Sequence, residues 1–243
     1  MFRPLQRAPT GPGKAGVPVR GRTHRDGQCA GPGAGGVGQH AHGVPRVGGF
    51  GTRVLAQGER SVQELALSIG QSVANTSQHL HVLLDAGLVT TRAKGTRVHY
   101  SLSSPAVADL WLALRGVAEA HVERLDELAH DYLGDRASLG AMSRDELAEH
   151  LTRKDVVVLD VRPEAEFAAG HIPGAVHVSP GEVAARLAEL PEGVTYVAYC
   201  RGPFCVYSDD AVRELSDAGR DAVRLDGGLP EWRADGRPVQ TGV

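Results

Sequence analysis

The sequence predicts two folded modules in series, and three observations support this fold class. Residues 61–102 contain two short amphipathic helical patterns followed by two alternating strand patterns, which predicts a small α+β module. Residues 105–133 continue as one long helical pattern. After residue 142, continuous apolar strands alternate with helices, which is typical of an α/β module whose parallel sheet is covered by helices on both faces.

Length and composition limit the classes of protein that the chain can belong to. A chain of 243 residues suits one large or two small domains, and 42% hydrophobic with 23% charged residues is ordinary for a soluble protein. The sequence has no apolar run long enough for a membrane helix and no apolar segment typical of a secretory signal. The three cysteines, Cys29, Cys200 and Cys205, fit a reducing compartment, so we expect a cytoplasmic protein with no membrane partner.

Residues 1–52 form an atypical N-terminal segment that we predict to be disordered. Residues 1–50 contain thirteen Gly and six Pro and few large apolar residues, too few to offset the entropy lost on ordering. Seven Lys or Arg residues against one acid, Asp26, would allow a basic arm on DNA phosphates. The same composition is also typical of a GC-rich gene translated in the wrong frame or from a misplaced start, an interpretation that fits it better.

The α+β module is predicted to span residues 53–133. Ser61 and Glu64 have the spacing of a capping box for a short helix that runs through Leu65 and Leu67 to Ile69. Ser72 is predicted to cap a second helix with a polar front and a buried face formed by Val73, Leu80, Leu83 and Leu84. Two helices joined by a tight turn in this way are typical of a helix-turn-helix.

The next residues predict a β-hairpin with a cationic tip. Residues 88–92 and 97–102 alternate as strands around the loop 93–96, which contains Lys94. A hairpin that presents cations at its tip is what a DNA-binding wing requires. The first module is therefore predicted to be a winged helix-turn-helix.

Several stretches of this module resemble the ArsR/SmtB family of winged-helix repressors: residues 74–80, Leu83, residues 86–89, Lys94 and Gly95. The resemblance implies a homodimer formed through residues 105–133, binding to a double-stranded DNA operator in the major groove, and release by an effector. Carried over by position, the residues expected to contact DNA are Asn75, Thr76, Ser77, Gln78 and His79 on the second helix, and Arg92, Lys94 and Arg97 on the wing.

The chain also departs from that family. Residues 1–52 do not resemble its first two helices, and the helix at 61–69 lacks the cysteine pair used for metal sensing. On the long helix, Asp109, His121, Glu123 and His130 do not match the family's zinc spacing, and a histidine within an apolar stripe is usually packed. We therefore predict no metal and no cofactor; a winged helix used only for protein contacts is the alternative.

Residues 134–141 are predicted to be a linker, followed by the α/β module at 142–243. Strands are expected at 156–159, 194–199 and 222–225, with helices after Ser143 and at 164–169, 181–190 and 208–218. Asp160 and Cys200 follow strand ends, where α/β proteins place their sites. Backbone N–H groups and a helix N-terminus beside Cys200 should favour its thiolate.

Motifs along residues 138–242 resemble the rhodanese family: residues 159–162, 166–167, 170–175, the Cys200 loop and residues 227–232. The resemblance implies that Cys200 is a catalytic residue that accepts sulfane sulfur as a persulfide and passes it to a thiol acceptor. It also implies an active-site loop made of Arg201, Gly202, Pro203, Phe204 and Cys205, whose amides stabilise the anionic sulfur. Asp160 and Arg162 are expected to support the floor of this loop.

Two departures narrow the chemistry. Phosphatases with this fold carry an arginine six residues after the cysteine, where this chain has Val206, which argues against phosphate hydrolysis. The loop offers one cation, Arg201, which favours a low-molecular-weight or protein persulfide, or a polysulfide, over thiosulfate as donor. Cys205 either closes a disulfide or polysulfide with Cys200 or is a small buried residue, and the sequence leaves both open.

The two modules together predict a DNA-binding transcriptional regulator whose operator binding responds to sulfur on Cys200. The alternative is a sulfurtransferase enzyme whose truncated winged helix has lost or weakened DNA binding.

Overall fold

A computed structural model describes residues 51–122, 125–136 and 138–242 of the chain. The predictions made for residues 1–50, including disorder, a basic arm and a misread start, lie outside the described residues, as do those for Cys29 and Glu123.

The first module is a winged helix-turn-helix, as predicted. Residues 51–55 are helical, so the disorder predicted for residues 1–52 is wrong at Gly51 and Thr52. They are followed by β1 (Arg60–Ser61), α1 (Val62–Ile69), α2 (Val73–Asp85), β2 (Val89–Lys94) and β3 (Arg97–Leu102). The strands form an antiparallel sheet in the order β1-β3-β2. The core of this module contains Val54, Leu55, Leu65, Leu80, Val89 and Tyr100.

Local capping explains where these helices begin. Ser61 Oγ accepts from the Glu64 amide, and the Glu64 carboxylate accepts from the Ser61 amide, which completes the predicted capping box. Ser72 Oγ accepts from the Asn75 amide at 3.2 Å. The predicted burial of Val73 is wrong: it is 45% exposed, and Leu67 on α1 is 72% exposed, because the small core takes only one side of each helix.

The predicted single helix at 105–133 is two helices, α3 (Pro105–His121) and α4 (Leu125–Leu133). Val122, between them, is extended, with φ −92° and ψ 94°. A continuous helix would be about 43 Å long. The break lets α3 contact the second module through Arg115 while the Leu133 carbonyl accepts a hydrogen bond from Arg213 of that module. His121, predicted to be packed, is exposed.

The second module is an α/β domain, as predicted, with a five-stranded sheet in the order β4-β8-β7-β5-β6 whose neighbouring strands are all parallel. Its elements are β4 (Ala141–Met142), α5 (Arg144–Arg153), β5 (Val156–Asp160), α6 (Glu164–Ala169), β6 (Val176–His177), α7 (Val183–Arg186), a 3-10 turn (Leu187–Glu189), β7 (Thr195–Cys200), α8 (Val206–Asp217), β8 (Ala222–Gly228) and α9 (Leu229–Ala234). The sequence did not predict β4, β6 or α9, and the helix expected at 181–190 is shorter.

The central strands are buried on both faces, and this burial positions Cys200. Leu159, Tyr196 and Cys200 pack into the core on one face of the sheet. Val158, Val197 and Tyr199 pack with Trp232 on the other face. Burying a large apolar side chain contributes about 1.5–3 kcal/mol, so both layers fix the central strands firmly. None of the helices in the described ranges could cross a membrane.

Candidate functional site

Cys200 is the last residue of β7, at the carboxyl edge of the sheet. Cys205 is the residue that caps the start of α8, and residues 201–204 form the loop between the two cysteines. The Cα atoms of the two cysteines are 6.2 Å apart and their sulfurs form a disulfide. Cys200 is 1% exposed and Cys205 is 0% exposed. The sequence left open whether Cys205 bonds to Cys200 or is a small buried residue. In the structure it is both.

The backbone of the loop packs directly against Gly228 on the neighbouring strand. A Cβ atom at Gly228 would lie 2.4 Å from the Cys200 carbonyl oxygen and 2.5 Å from the Gly202 nitrogen. Any side chain there would push the loop away from the sheet. The Cys205 amide donates to the Gly202 carbonyl at 3.2 Å, so this amide is engaged within the loop itself.

Arg201 pairs with Glu166 of α6. Its Nε donates to both Glu166 carboxylate oxygens, at 3.0 and 2.9 Å, and the pair is nearly inaccessible to solvent. The cation that the sequence offered as part of the sulfur site is therefore neutralised by a carboxylate. Glu166 lies in one of the stretches that resemble the rhodanese family, but no role was predicted for it from the sequence.

Asp160 and Arg162 support the floor of the site and are completely buried. Arg162 Nε donates to Asp160 Oδ1 at 2.9 Å, and Tyr199 Oη donates to Asp160 Oδ2. Burial, and then the charge of Asp160, hold the pKa of Tyr199 well above its usual value. This network is satisfied internally, which fits the supporting role predicted for both residues.

Two further arginines from outside the α/β module reach the surroundings of the loop. Arg115 of α3 pairs with Glu231 of α9 and with Glu119, and its Nη1 is 3.6 Å from the place that a Gly202 Cβ would occupy. Arg136 donates to the Pro203 carbonyl at 2.8 Å and pairs with Asp209. Arg136 lies in the predicted linker 134–141, which is thus tied to the loop.

The segment 56–60, which we call the bridge segment, also contacts the α/β module. Arg233 Nη1 donates to the Ala56 carbonyl at 3.1 Å, and Arg162 Nη1 donates to Gln57 Oε1 at 3.0 Å. Burial, and then the charge of Arg162, lower the pKa of Arg233. Gln57 is completely buried, so its bond to Arg162 lies in the interior between the modules. The sequence did not identify the bridge segment as functional, since no local pattern marks it.

The residues of α2 that were predicted to contact DNA differ in their exposure to solvent. Gln78 is exposed, and Asn75, Ser77 and His79 are half-buried. Thr76 is completely buried, and its hydroxyl donates to the Ser72 carbonyl at 3.0 Å. The prediction that Thr76 faces DNA is therefore corrected: its side chain belongs to the core of the module.

The wing presents its predicted cations to solvent. Lys94 and Arg97 flank the turn that joins β2 to β3, and both are exposed. Arg92 is exposed but pairs with Glu59 of the bridge segment, and a hydrogen bond from Arg92 lowers the pKa of that carboxyl. Within the described ranges, no three His, Cys, Asp or Glu side chains are placed to share a metal ion.

These two modules define a class of protein, a winged helix-turn-helix module joined to a parallel α/β domain with a cysteine loop at the carboxyl edge of its sheet, and comparisons with known proteins agree. Residues 52–91 match the family described as bacterial regulatory protein, arsR family, and residues 143–235 match the rhodanese-like domain. An HTH-type transcriptional regulator of Mycobacterium tuberculosis is 43% identical over 190 residues, which cover 78% of this chain and 83% of that relative. The chain belongs to the ArsR family of transcriptional regulators and carries a C-terminal rhodanese-like domain.

Two further similarities each cover one module. A putative sulfurtransferase of Bacillus subtilis is 29% identical over 85 residues, 35% of this chain and 81% of that protein. A homodimeric winged helix-turn-helix DNA-binding domain from Mycobacterium bovis is 34% identical and covers 33% of this chain and 74% of that chain, with a TM-score of 0.31.

Proposed function

We propose that this regulator acts in the cytoplasm as a homodimer on a double-stranded DNA operator, and that sulfane sulfur taken up by Cys200 changes its operator affinity. The observation that carries the proposal is the pair Cys200 and Cys205 at the end of a central strand, beside two carboxylates, Glu166 and Glu231, that form ion pairs with Arg60 and Arg115 of the winged-helix half of the chain. A thiol pair placed in this way can take up and release sulfur, and the carboxylates beside its loop contact the DNA-binding half.

The sulfur chemistry proceeds in two balanced steps. The Cys200 thiolate attacks the outer sulfur of a persulfide donor, the donor S–S bond breaks, and the donor leaves as a thiolate while Cys200 carries the persulfide. The Cys205 thiolate then attacks the inner sulfur of that persulfide and displaces hydrosulfide. The product is the Cys200–Cys205 disulfide that the structure contains. A cellular dithiol reduces this disulfide and returns both thiols.

Charge around the loop favours some donors over others. Arg201 is paired with Glu166, and Arg115 with Glu231 and Glu119, so both guanidinium groups are already neutralised. A doubly charged donor such as thiosulfate would gain little from them. Persulfides of small thiols or of proteins, and polysulfides, are therefore the proposed donors, and a small thiol or a protein thiol is the acceptor.

The DNA-binding face combines α2 with the wing. Asn75, Ser77, Gln78 and His79 would lie toward the major groove, and Lys94 and Arg97 would contact phosphates. Arg92 would join them by exchanging Glu59 for a phosphate. This exchange is feasible because an exposed ion pair is weak and screened by salt.

The dimer would form through the exposed apolar stripe on α3. Leu110, Leu114 and Val117 are 62%, 58% and 57% exposed, and no described residue of α3 is fully buried within the chain. Large apolar side chains aligned at helical spacing are stabilised by a partner helix. A second copy of the same chain would cover both stripes symmetrically.

The alternative function is that of a sulfurtransferase with many turnovers and weak DNA binding. The complete cysteine loop favours it, whereas the burial of Cys200, at 1% exposure, argues against rapid turnover in this conformation. Rapid sulfur transfer without operator binding would support the enzyme.

Mass spectrometry of the full-length chain tests the sulfur chemistry. After reduction and polysulfide treatment, the unaltered chain should end as the Cys200–Cys205 disulfide with no added sulfur, because Cys205 displaces hydrosulfide from the persulfide. Cys205→Ser should accumulate the persulfide because it cannot resolve it, with a mass increase of about 32 Da per added sulfur on the peptide that contains residues 200–205, and Cys200→Ser should take up no sulfur on this peptide. Equal uptake by Cys200→Ser and Cys205→Ser would reject Cys200 as the acceptor.

A further inference from the structure

The bridge segment lies between the sulfur site and the DNA-binding face, and its two sides contact different modules. Toward the α/β module, Arg60 Nη2 lies 3.6 Å from Glu166 Oε1, the same oxygen that Arg201 Nη2 contacts at 2.5 Å. Gly58 packs so closely that a Cβ atom there would lie 2.6 Å from the Ala169 Cβ of α6. The segment is therefore fixed against α6 beside the loop.

On its other side the bridge segment is part of the winged-helix sheet. Arg60 pairs with Tyr100, and Ser61 with His99, in the β1–β3 ladder that continues into the wing. Glu59 pairs with Arg92 of β2. Ser61 also caps α1, the first helix of the helix-turn-helix. A displacement of Arg60 thus reaches both the wing and the first helix through direct contacts.

The loop cannot hold all its sulfur states in one conformation. In the disulfide state Cys200 and Cys205 are buried, and Gly228 packs against the loop backbone without spare room. Two separate thiols, or a persulfide with one more sulfur atom, need more space than the bonded pair. Closely packed interiors respond to such a change by moving between discrete arrangements, so residues 201–202 must shift.

A shift at Arg201 changes the ionic partners of Glu166. This carboxylate is 2% exposed, and a buried charge that loses a partner is strongly destabilised. Arg60 is the second guanidinium in place to compensate. It would close from a loose ion pair to a direct hydrogen bond by moving about 1 Å.

We propose that Arg60 is a positioning residue that links the sulfur state of Cys200 to the DNA-binding face through Glu166 and Arg201. This inference rests on the proposed function, and it assigns the coupling to one buried ionic cluster. Because coupling between two sites is reciprocal, bound operator DNA must shift the sulfur-loading equilibrium of Cys200 by the same factor by which sulfur shifts operator affinity.

The test compares three variants of the full-length chain. Arg60→Met and Glu166→Gln remove the cluster from its two ends, and Glu166→Gln keeps the shape of the side chain. Arg220→Met is the matched control, because Arg220 is about as buried as Arg60, at 15% against 11% side-chain exposure, and also pairs with a glutamate, Glu192. Arg220 is remote from the cysteine loop. Its neighbour Asp221 accepts a hydrogen bond from the Tyr196 amide near the start of β7, and Cys200 is at the other end of that strand.

For each variant, the operator dissociation constant is measured in the reduced and the polysulfide-treated state at equal sulfur loading, as determined by mass spectrometry. The ratio of the dissociation constant after treatment to that of the reduced protein should be at least about five for the unaltered chain and for Arg220→Met. For Arg60→Met and Glu166→Gln, this ratio should lie within about twofold of one. Saturating operator DNA should shift the fraction of Cys200 that has reacted with polysulfide in the unaltered chain and not in Arg60→Met.

Each outcome decides the question. If Arg60→Met and Glu166→Gln keep the full ratio, the cluster does not transmit the signal, although the proposed function stands. If the unaltered chain has a ratio of one, the proposed function fails, and this inference fails with it. Thermal unfolding shows whether Arg60→Met folds, and if it does not, the isosteric Glu166→Gln carries the test.

Discussion

Arg162 has no exposed surface, and each nitrogen of its guanidinium has a partner. Nε and Nη2 donate to Asp160, Nη2 also donates to the Gly170 carbonyl, and Nη1 donates to Gln57. Through these bonds one residue joins the end of β5, the end of α6 and the bridge segment. The floor of the sulfur site and the contact between the modules therefore depend on the same buried charge.

Asp160→Asn should strongly destabilise the α/β module. The substitution leaves the Arg162 guanidinium buried without its carboxylate, which costs about 3–5 kcal/mol. Urea unfolding followed by tryptophan fluorescence should show a clearly lower midpoint with an unchanged slope. Glu149→Gln, which removes an exposed partner of Arg153, is the control and should leave the midpoint in place. Equal midpoints for Asp160→Asn and the control would contradict the structural role of the pair.

Single residues differ in how far the sequence alone could predict their roles. The role proposed for Cys200 and the supporting positions predicted for Asp160 and Arg162 follow from motifs that are local in the sequence. The contact between Arg162 and Gln57 joins residues 105 positions apart, and neither residue carries a local signal for it. Thr76 was misassigned because position within a helix-turn-helix pattern does not specify which polar side chain the core encloses.

At the scale of elements, α3 has two roles on different faces. Arg115 contacts Glu231 beside the cysteine loop, while Leu110, Leu114 and Val117 form an apolar stripe exposed to solvent. A helix that contacts the sulfur site on one face and a second subunit on another would bring the loop close to the dimer interface.

Leu114→Glu should convert the dimer to a monomer, because two glutamates placed in an apolar seam repel each other and would be desolvated. Sedimentation velocity at micromolar concentration should show roughly half the mass of the unaltered protein. Leu67→Glu is the control, since Leu67 is also largely exposed, at 72% against 58% for Leu114, but lies on α1. A dimer that survives Leu114→Glu, or one that Leu67→Glu also dissociates, would contradict the assignment of the seam to α3.

Elements with local signals were predictable and those without them were not. Capping residues located the starts of α1, α2 and α5, and apolar runs located β5 and β7. The two-residue strands β4 and β6 are too short to show a period, and α9 contains Pro230 near its start. The break at Val122 could not be predicted, because the apolar spacing continues across it and neither Gly nor Pro marks it.

At the scale of the whole molecule, the two modules meet through polar contacts formed mainly by arginines. Arg60, Arg115 and Arg136 reach the cysteine loop or its partners from outside the α/β module, and Arg162 and Arg233 reach the bridge segment from inside it. Such contacts are geometrically specific and can exchange partners when the loop moves. We propose that sulfur on Cys200 and DNA on the winged helix influence each other through this interface, and this is the central claim.

Operator affinity measured as a function of sulfur loading tests that claim most directly. A fluorescent duplex, selected from random sequences by the reduced protein, is titrated by anisotropy with reduced and polysulfide-treated protein. We expect loading to weaken binding at least about fivefold in the unaltered chain and to have no effect in Cys200→Ser. Lys94→Ala should weaken DNA binding by the reduced and by the loaded protein to the same extent. It should also lower the salt dependence of binding by the equivalent of about one phosphate contact, and the ratio of the two affinities should not change. Equal affinities of the loaded and reduced chain, or an undiminished response in Cys200→Ser, would contradict the account.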